Sequence, residues 1–272
     1  MDTRDFTVLL SVYWKEKPEY LFLALKSIYQ DQTLKPSEIV LVKDGLLTPE
    51  LDKTIDDFTR EAPVRVVPLS KNQGLGKALN EGLKYCTNEL VARMDTDDIS
   101  YPHRFEIQVE YMLKHPETAV MSGRIDEFAG EMDNIRSRRI IPENHKEIVE
   151  MARKRNPVNH VAVIFRKDAV LKSNGYMDFW QFEDYYLWAR MIHNGAIFHN
   201  TAESLVAVRF SDSDITRRHG LKYARNEFRF LKELHRLGIM RRTDMLINVP
   251  IRFTLRLVPK WILYKTYMMF LR

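Results

Sequence analysis

The sequence predicts an α/β fold with a mostly parallel central sheet and helices on both faces. Three observations predict it. Four β-rich apolar runs lie between residues 6 and 94, a helix-period segment follows each of the first three, and turn or carboxylate residues stand at the strand ends. "FTVLLSVY" is the first strand. Pro18 then opens "PEYLFLALKSIYQ", where Leu21, Leu25 and Ile28 recur at helical spacing. "EIVLVK" is the second strand, closed by Asp44-Gly45, and "PELDKTIDDFTR" is a polar-faced helix. "VRVVPL" is the third strand, "LGKALNEGLKY" a helix and "ELVARM" the fourth strand. Ligands of such sheets collect at the carboxyl ends of the strands. Asp44, Asn72–Lys77 and Asp95–Asp98 all fall there.

Beyond about residue 115 the pattern loosens. "TAVMSGRI", "HVAVIFRK" and "ESLVAVRF" read as strands, and "EDYYLWARMIHNG" as a helix ending at Gly195. From Leu221 to Leu237 an amphipathic helix carries Leu221, Ala224, Phe228, Leu231 and Leu234 on one stripe. The expected organisation is a domain over 1–215, its halves 1–115 and 116–215, followed by a basic helical extension over 216–272; the resemblance given below implies that the first half binds nucleotide and the second the acceptor.

With 272 residues, 45% hydrophobic and 29% charged, the chain has the composition of an ordinary globular protein. One cysteine, Cys86, excludes an internal disulfide framework and a multi-cysteine metal site, and points to a reducing compartment. The N-terminal stretch lacks the pattern of a signal peptide. The net charge of +5 is a property of the tail. Residues 241–272 hold seven basic residues against Asp244 alone, so the remainder nets −1 and no nucleic-acid partner is expected.

"MDTDD" places Asp95, Asp97 and Asp98 within four positions after a strand. Like charges that close need an offsetting partner. Capping of the helix that starts near Pro102 accounts for Asp98 or Ser100. Carboxylates at i and i+2 supply oxygen ligands for a hard divalent cation, with substrate phosphates completing the shell. A divalent cation held by Asp97, with Asp95, is such a partner, and the resemblance given below implies that it bridges them to a nucleoside diphosphate. An aspartate-nucleophile phosphatase would place such a motif on its first strand, with Thr or Val where Ile99 stands. "NQGLGKALN" is neither a P-loop, which needs Gly at 71 and Ser or Thr at 78, nor a dinucleotide fingerprint, which needs Gly at 79. It remains a glycine turn opening a helix, with Lys77 in the first turn, and backbone N–H groups there suit a diphosphate. "FEDYYLW" puts Glu183 and Asp184 at a helix start, where favourable dipole placement alone would explain them. Around that pair cluster Tyr176, Phe179, Trp180, Phe182, Tyr185 and Trp188. Core packing is the first explanation, and aromatic faces beside carboxylates also suit sugars.

In this order the pieces resemble the family 2 inverting glycosyltransferases of the GT-A fold, especially the bacterial enzymes of O-antigen and capsule assembly. The matching stretches run from "LLSVYWKEKPEYLFLALKSIYQDQTLKPSEIVLVKDG" through "NQGLGKALNEGL", "ARMDTDDISYPHRFEIQ", "NPVNHVAVIFRKDAVLKSNGY" and "FEDYYLWARMIHNG" to "RRHGLKY". The resemblance implies that Val12 and Tyr13 contact the nucleotide base, with Glu16 near the ribose and Asp44 on the uracil edge. It implies Lys77 at the diphosphate, and Asp95 and Asp97 as a D-x-D pair touching ribose and Mn²⁺ or Mg²⁺. Asp184 becomes the catalytic base, with Glu183 and His160 lining the acceptor side. Trp180 joins them as an acceptor contact on the aromatic argument. Two departures stand out. Lys43-Asp44 replaces the commoner Asp-Asp, and near "VRFSDSD" only Ser211, Asp212 and Asp214 stand where some members carry a metal-binding histidine. The third protein ligand is left open.

The implied reaction is a single displacement that inverts the anomeric carbon, moving a hexose or N-acetylhexosamine from a UDP-sugar to a lipid-diphosphate-linked saccharide. Two alternatives stay open on the residues. A sugar nucleotidyltransferase would want a Gly-rich loop after strand one, where "SVYWKEKPEY" has no glycine. A non-catalytic sugar or lipid-carrier binding module would not need the Asp97 and Asp184 pair. The tail "NVPIRFTLRLVPKWILYKTYMMFLR" has apolar runs well short of the ~20 residues a spanning helix needs, and Pro250 and Pro259 are expected to divide it into short helices. Its alternation of basic and apolar residues resembles helices lying in a membrane interface; the basic excess favours this for the second half, while for the first half packing back on the domain as an ordinary helical pair stays equally open. Anionic headgroups attract such clusters by roughly 1 kcal/mol per Lys or Arg. A cytoplasmic protein, peripheral on the inner face of the cell membrane, is the expectation.

Overall fold

The computed structural model describes residues 4–210 and 218–259. Ser211, Asp212, Asp214 and the tail from Lys260 onward, including the expected second short helix, lie outside the described residues.

Strands β1 (Thr7–Val12), β2 (Glu38–Lys43), β3 (Val64–Pro68) and β4 (Leu90–Met94) alternate with α1 (Pro18–Tyr29), α2 (Pro49–Thr59) and α3 (Leu75–Tyr85). After β5 (Ile99–Ser100) and α4 (Arg104–Lys114) come β6 (Thr118–Phe128), β7 (Ile135–Arg139) and α5 (His145–Met151). A 3-10 turn (His160–Ala162), β8 (Ile164–Arg166), α6 (Lys167–Lys172), α7 (Glu183–His193) and β9 (Ile197–Arg209) follow. The final helices are α8 (Leu221–Arg236) and α9 (Arg242–Leu257). One sheet runs β3-β2-β1-β4-β8-β6-β9-β5, with β7 paired to β6.

The first four strands are parallel, as expected, because each is joined to the next by a helical crossover. Side chains alternate between faces. Val8, Leu10, Ile39 and Leu41 pack with α1, α2 and α4, whereas Leu9, Val40 and Val42 pack with α3 and α7. Gly82 of α3 lets that helix close on the sheet: a Cβ there would stand 2.5 Å from Leu9 Cδ1 and 2.7 Å from Val42 Cγ2. The second half is mixed, since β8 runs antiparallel to both β4 and β6, while β6 and β9 are parallel.

Several expectations need correction. "HVAVIFRK" forms a strand only from Ile164, because His160–Ala162 wind into a 3-10 turn in which the Ala162 N–H bonds the Asn159 carbonyl at 2.9 Å, and Gln108 Nε2 donates to the Ala162 carbonyl at 2.9 Å. β7 and α5 were not legible as elements. Neither Asp98 nor Ser100 caps α4, whose N-terminal flank is His103 without a side-chain cap. Asp98 instead accepts the Arg209 backbone N–H at 2.8 Å. On α8 the buried face is Tyr223, Ala224, Glu227, Phe230, Leu231 and Leu234, which leaves Leu221 and Phe228 exposed. That face packs on Phe182, Tyr185, Tyr186 and Ala189 of the α7 region. Pro250 does not divide the tail, for α9 runs through it. Ion pairs hold the helix on either side of the proline: Asp244 with Arg153 before it, and Arg252 and Arg256 with Glu227 after it. Among the described residues no helix is long and apolar enough to cross a membrane.

Candidate active site

The chain reverses its direction of travel across the sheet between β1 and β4, and such switch points are where α/β sheets bind ligands. The segments after these two strands meet directly, with Thr96 Oγ1 donating to Glu16 Oε2 at 2.9 Å. Next to them the β2–α2 and β3–α3 turns are joined by Asp44. Its buried carboxylate accepts the Gln73 N–H at 2.7 Å and the Gly74 N–H at 3.0 Å. Gly74, with φ +89°, is the residue before α3, so Asp44 fixes the glycine turn. Two of its acceptor positions are therefore already used. The Asp44 N–H is bonded to the Val12 carbonyl at 2.8 Å, while Tyr13 is exposed beside it. Lys77, in the first turn of α3, reaches Asp178 at 3.4 Å, both side chains being exposed.

Part of the carboxylate cluster is offset by the protein itself. Arg93, buried in β4, forks onto Asp95: Nη1 donates to Oδ2 at 2.6 Å and Nη2 donates to Oδ1. Asp98, fully buried, is bonded to the Arg209 backbone. Asp97 makes no ion pair among the described residues, and neither does Asp98 beyond that backbone bond. Burial first, then repulsion from Asp95 and Glu16, pushes its carboxyl up to about 7. Asp98 is also raised well above the ordinary range, by burial and then by Asp97 and Asp95. No group of three or more His, Cys, Asp or Glu able to hold a metal ion forms among the described residues. Asp97 nonetheless fits a divalent cation, for such ions are held by one or two carboxylates together with substrate phosphates. An unpaired carboxylate crowded by two others is the donor such an ion would relieve.

Beside this cluster opens a cavity of about 290 Å³, whose lining includes Arg93, Asp95, His160, Glu183 and Asp184. Two segments far apart in sequence thus meet, the end of β4 and the start of α7. Asp184 Oδ2 accepts Asn156 Nδ2 at 2.8 Å, and burial, opposed by that bond and by the Tyr185 N–H, raises its carboxyl. Burial likewise raises Glu183, whose Oε2 is buried without a hydrogen-bond partner. His160 Nε2 shares a 2.9 Å hydrogen bond with the Tyr176 hydroxyl. Burial and then Arg93 hold the imidazole well below its usual range, so it is neutral at pH 7.

Trp180 does not line the cavity. Its ring stands 6.1 Å from that of Tyr223, under Lys222 at 4.9 Å, and its carbonyl accepts Asn226 Nδ2. Asp44, Lys77, Tyr13, Glu16 and Asp97 also lie outside the lining. Sequence reasoning missed Arg93, Asn156 and Arg139, whose Nη2 donates to the Asn156 carbonyl at 2.8 Å. Arg93 had a signal: a lone charge inside the apolar run "LVARM". Arg139 had none, since β7 itself was not legible, and Asn156 stands on a loop outside any element.

The chain matches the family described as Glycosyl transferase family 2 over residues 7–171. It is 41% identical over 257 residues to "Amylovoran biosynthesis glycosyltransferase AmsE" of Erwinia amylovora, covering 93% of this chain and 94% of the relative. It is 36% identical over 258 residues to an Escherichia coli "UDP-Gal:alpha-D-GlcNAc-diphosphoundecaprenol beta-1,3-galactosyltransferase", covering 95% and 93%. The mannosyltransferase PcManGT from Pyrobaculum calidifontis, solved with GDP-Man and Mn²⁺, superposes with a TM-score of 0.66 at 14% identity, covering 92% of this chain and 72% of that one. The fold is that of the GT-A glycosyltransferases, and the chain belongs to glycosyl transferase family 2.

Proposed function

We propose that this protein is an inverting glycosyltransferase of cell-surface polysaccharide synthesis. It moves a hexose or N-acetylhexosamine from a UDP-sugar to a saccharide on a polyprenyl diphosphate. The observation that carries the reading is the meeting of Asp95, at the end of β4, with Glu183 and Asp184, at the start of α7, around one cavity. The relative named for transfer of galactose from UDP-Gal to a GlcNAc-diphosphoundecaprenol supports the donor and acceptor class. On this reading residues 1–115 hold the nucleotide, 116–215 the acceptor, and 216–272 form an extension.

Asp184 takes the proton of the acceptor hydroxyl as its oxygen attacks the anomeric carbon, and UDP leaves from the opposite face, inverting that centre. A base raised by burial is better matched to this task than an ordinary aspartate. Asn156 fixes its rotamer. Glu183 is the alternative base, favoured by its unpartnered Oε2 in the same cavity. Asp97, with Asp95 beside it, would hold Mn²⁺ or Mg²⁺, which when bound supplies positive charge to the departing diphosphate. Val12, Tyr13, Glu16 and Asp44 stand where the strand ends meet the nucleoside, and Lys77 flanks the diphosphate.

The test is UDP release from UDP-Gal, UDP-Glc, UDP-GlcNAc and UDP-GalNAc in the presence of a short-chain lipid-diphosphate GlcNAc acceptor. One donor should be consumed only when acceptor and a divalent cation are both present. No consumption of any of the four would overturn the donor and acceptor class.

A further inference from the structure

Helix α9 is built inside out. Beyond Arg242, its charged residues face the protein. Asp244 accepts two bonds from Arg153, at 3.0 and 2.6 Å. Glu227 of α8, 2% exposed, receives Arg252 at 3.0 Å and Arg256 at 2.8 Å. Burial alone would raise Glu227, but the bonds from Arg256 and Arg252 outweigh it and hold the carboxyl below its ordinary range. The outward face has the opposite character. Leu246 is 77% exposed, Ile247 60%, Ile251 61% and Leu257 47%, with Pro250 and Thr254 between them. From Thr243 to Pro259 no exposed position carries a charge. A solvated helix turns its charges out and its leucines in. A contiguous apolar face with the charges tied down behind it marks a surface that binds something apolar.

We infer that the outer face of α9 is a membrane-docking surface, with Leu246, Ile247 and Ile251 entering the acyl boundary of an anionic bilayer. The charge distribution names this occupant. Arg241 and Arg242 are exposed at the start of the helix. In sequence the next residues, "KWILYKTYMMFLR", continue the mixture of basic, aromatic and aliphatic side chains. An apolar stripe flanked by cations and aromatics is the pattern of helices that lie in the headgroup region. A second protein copy would need an acidic partner for these cations, and the rest of the chain nets only −1. The inference deepens the proposed function, since a lipid-linked acceptor would lie in the surface that α9 touches.

The test is flotation of the full chain with vesicles of phosphatidylglycerol and phosphatidylethanolamine. A variant combining Leu246→Ser, Ile247→Ser and Ile251→Ser changes exposed side chains only, so its melting temperature and UDP binding should match the parent. Its vesicle partition coefficient should fall by about 100-fold. Phe22→Ser, at a residue 53% exposed on α1, should float like the parent. Unchanged flotation of the triple variant overturns the inference. Loss of flotation on deleting 260–272, with the triple variant still bound, overturns it in favour of the tail. A parent that is dimeric and does not float, and a triple variant that is monomeric, would assign the face to a second copy and overturn it too. Transfer to the short-chain acceptor in free solution reads the catalytic proposal separately. A protein that floats but transfers nothing fails on catalysis alone, and one that transfers but does not float fails on docking alone.

Discussion

Arg93 and Asp95 form a two-point ion pair between residues two apart in one chain, at the place where β4 leaves the sheet. Arg93 is 2% exposed and Asp95 34%, so a buried cation holds a carboxylate that still meets solvent. The Arg93 Nε is buried without a partner, and Arg93 lines the cavity whose lining also includes Glu183 and Asp184. The cluster of aspartates is thus partly neutralised from beneath by the protein.

Arg93→Met should destabilise the protein and loosen Asp95. Breaking a buried pair costs about 3–5 kcal/mol, and about 2–3 is expected here because Asp95 can turn to water. At about 2–4 °C per kcal/mol for a chain of this size, the melting temperature should drop by roughly 4–12 °C. Arg93→Lys should recover only part of the loss, because an ammonium cannot reproduce the fork. Calorimetric melting and UDP titration check both, and a parent-like melt for Arg93→Met would remove the pair from the account of the site.

Asp44→Ala should weaken UDP binding and also loosen the 72–74 turn. The second effect follows from the Gln73 and Gly74 N–H groups, which lose their acceptor. Such a loss costs about 1–3 kcal/mol. Asp44→Asn keeps one acceptor oxygen and should melt closer to the parent. If Asp44→Ala lowers UDP affinity with no change in melting, the carboxylate acts on the nucleotide and the turn does not depend on it.

The parallel half of the fold was legible because each of its strands is an apolar run that closes on a turn or a carboxylate, and its helices carry clean periods. The α8 stripe was misjudged at Leu221 and Phe228 because periodicity finds a face but not its edges. There the burial of Glu227 against Arg252 and Arg256 rotates the contact toward Tyr223 and Phe230. Asp95 and Asp97 could be named from their position at a strand end, and Asp184 only through the family resemblance. Which group bonds which could not, because the partner of Asp98 is the Arg209 backbone N–H, 111 residues away, and that of Asp184 is the Asn156 amide on a loop.

Asp184→Asn should abolish turnover by about 10²–10⁴-fold while leaving UDP affinity intact, since only the proton acceptor is removed. The same change should stabilise the protein at neutral pH. Asp184 binds its proton more tightly folded than unfolded, so the folded state pays for ionising it as pH rises from the ordinary aspartate range through the raised one. The stability advantage of Asp184→Asn should therefore be present at pH 7 and shrink as pH falls toward about 4. The acid limb of kcat/KM should lie above the ordinary aspartate value. Should Glu183→Gln lose more turnover than Asp184→Asn, the base is Glu183.

Asp97 carries the last prediction. It has no ion pair among the described residues, and the crowding that raises its carboxyl is the crowding a divalent cation would relieve. Transfer should stop in EDTA and return with Mn²⁺ or Mg²⁺. Asp97→Asn should remain inactive with either ion, losing at least about 100-fold, because charge stabilisation of a leaving diphosphate is worth several kcal/mol. A readout independent of turnover is the melting temperature. UDP with Mn²⁺ should raise it for the parent by more than UDP alone, since a ligand that binds only the folded state stabilises it. Asp97→Asn should show the UDP shift but no increment from Mn²⁺. Asp95→Asn should keep part of the increment, because Arg93 already occupies both of its oxygens. An equal Mn²⁺ increment for Asp97→Asn and the parent would place the cation on other residues and overturn the role given to Asp97.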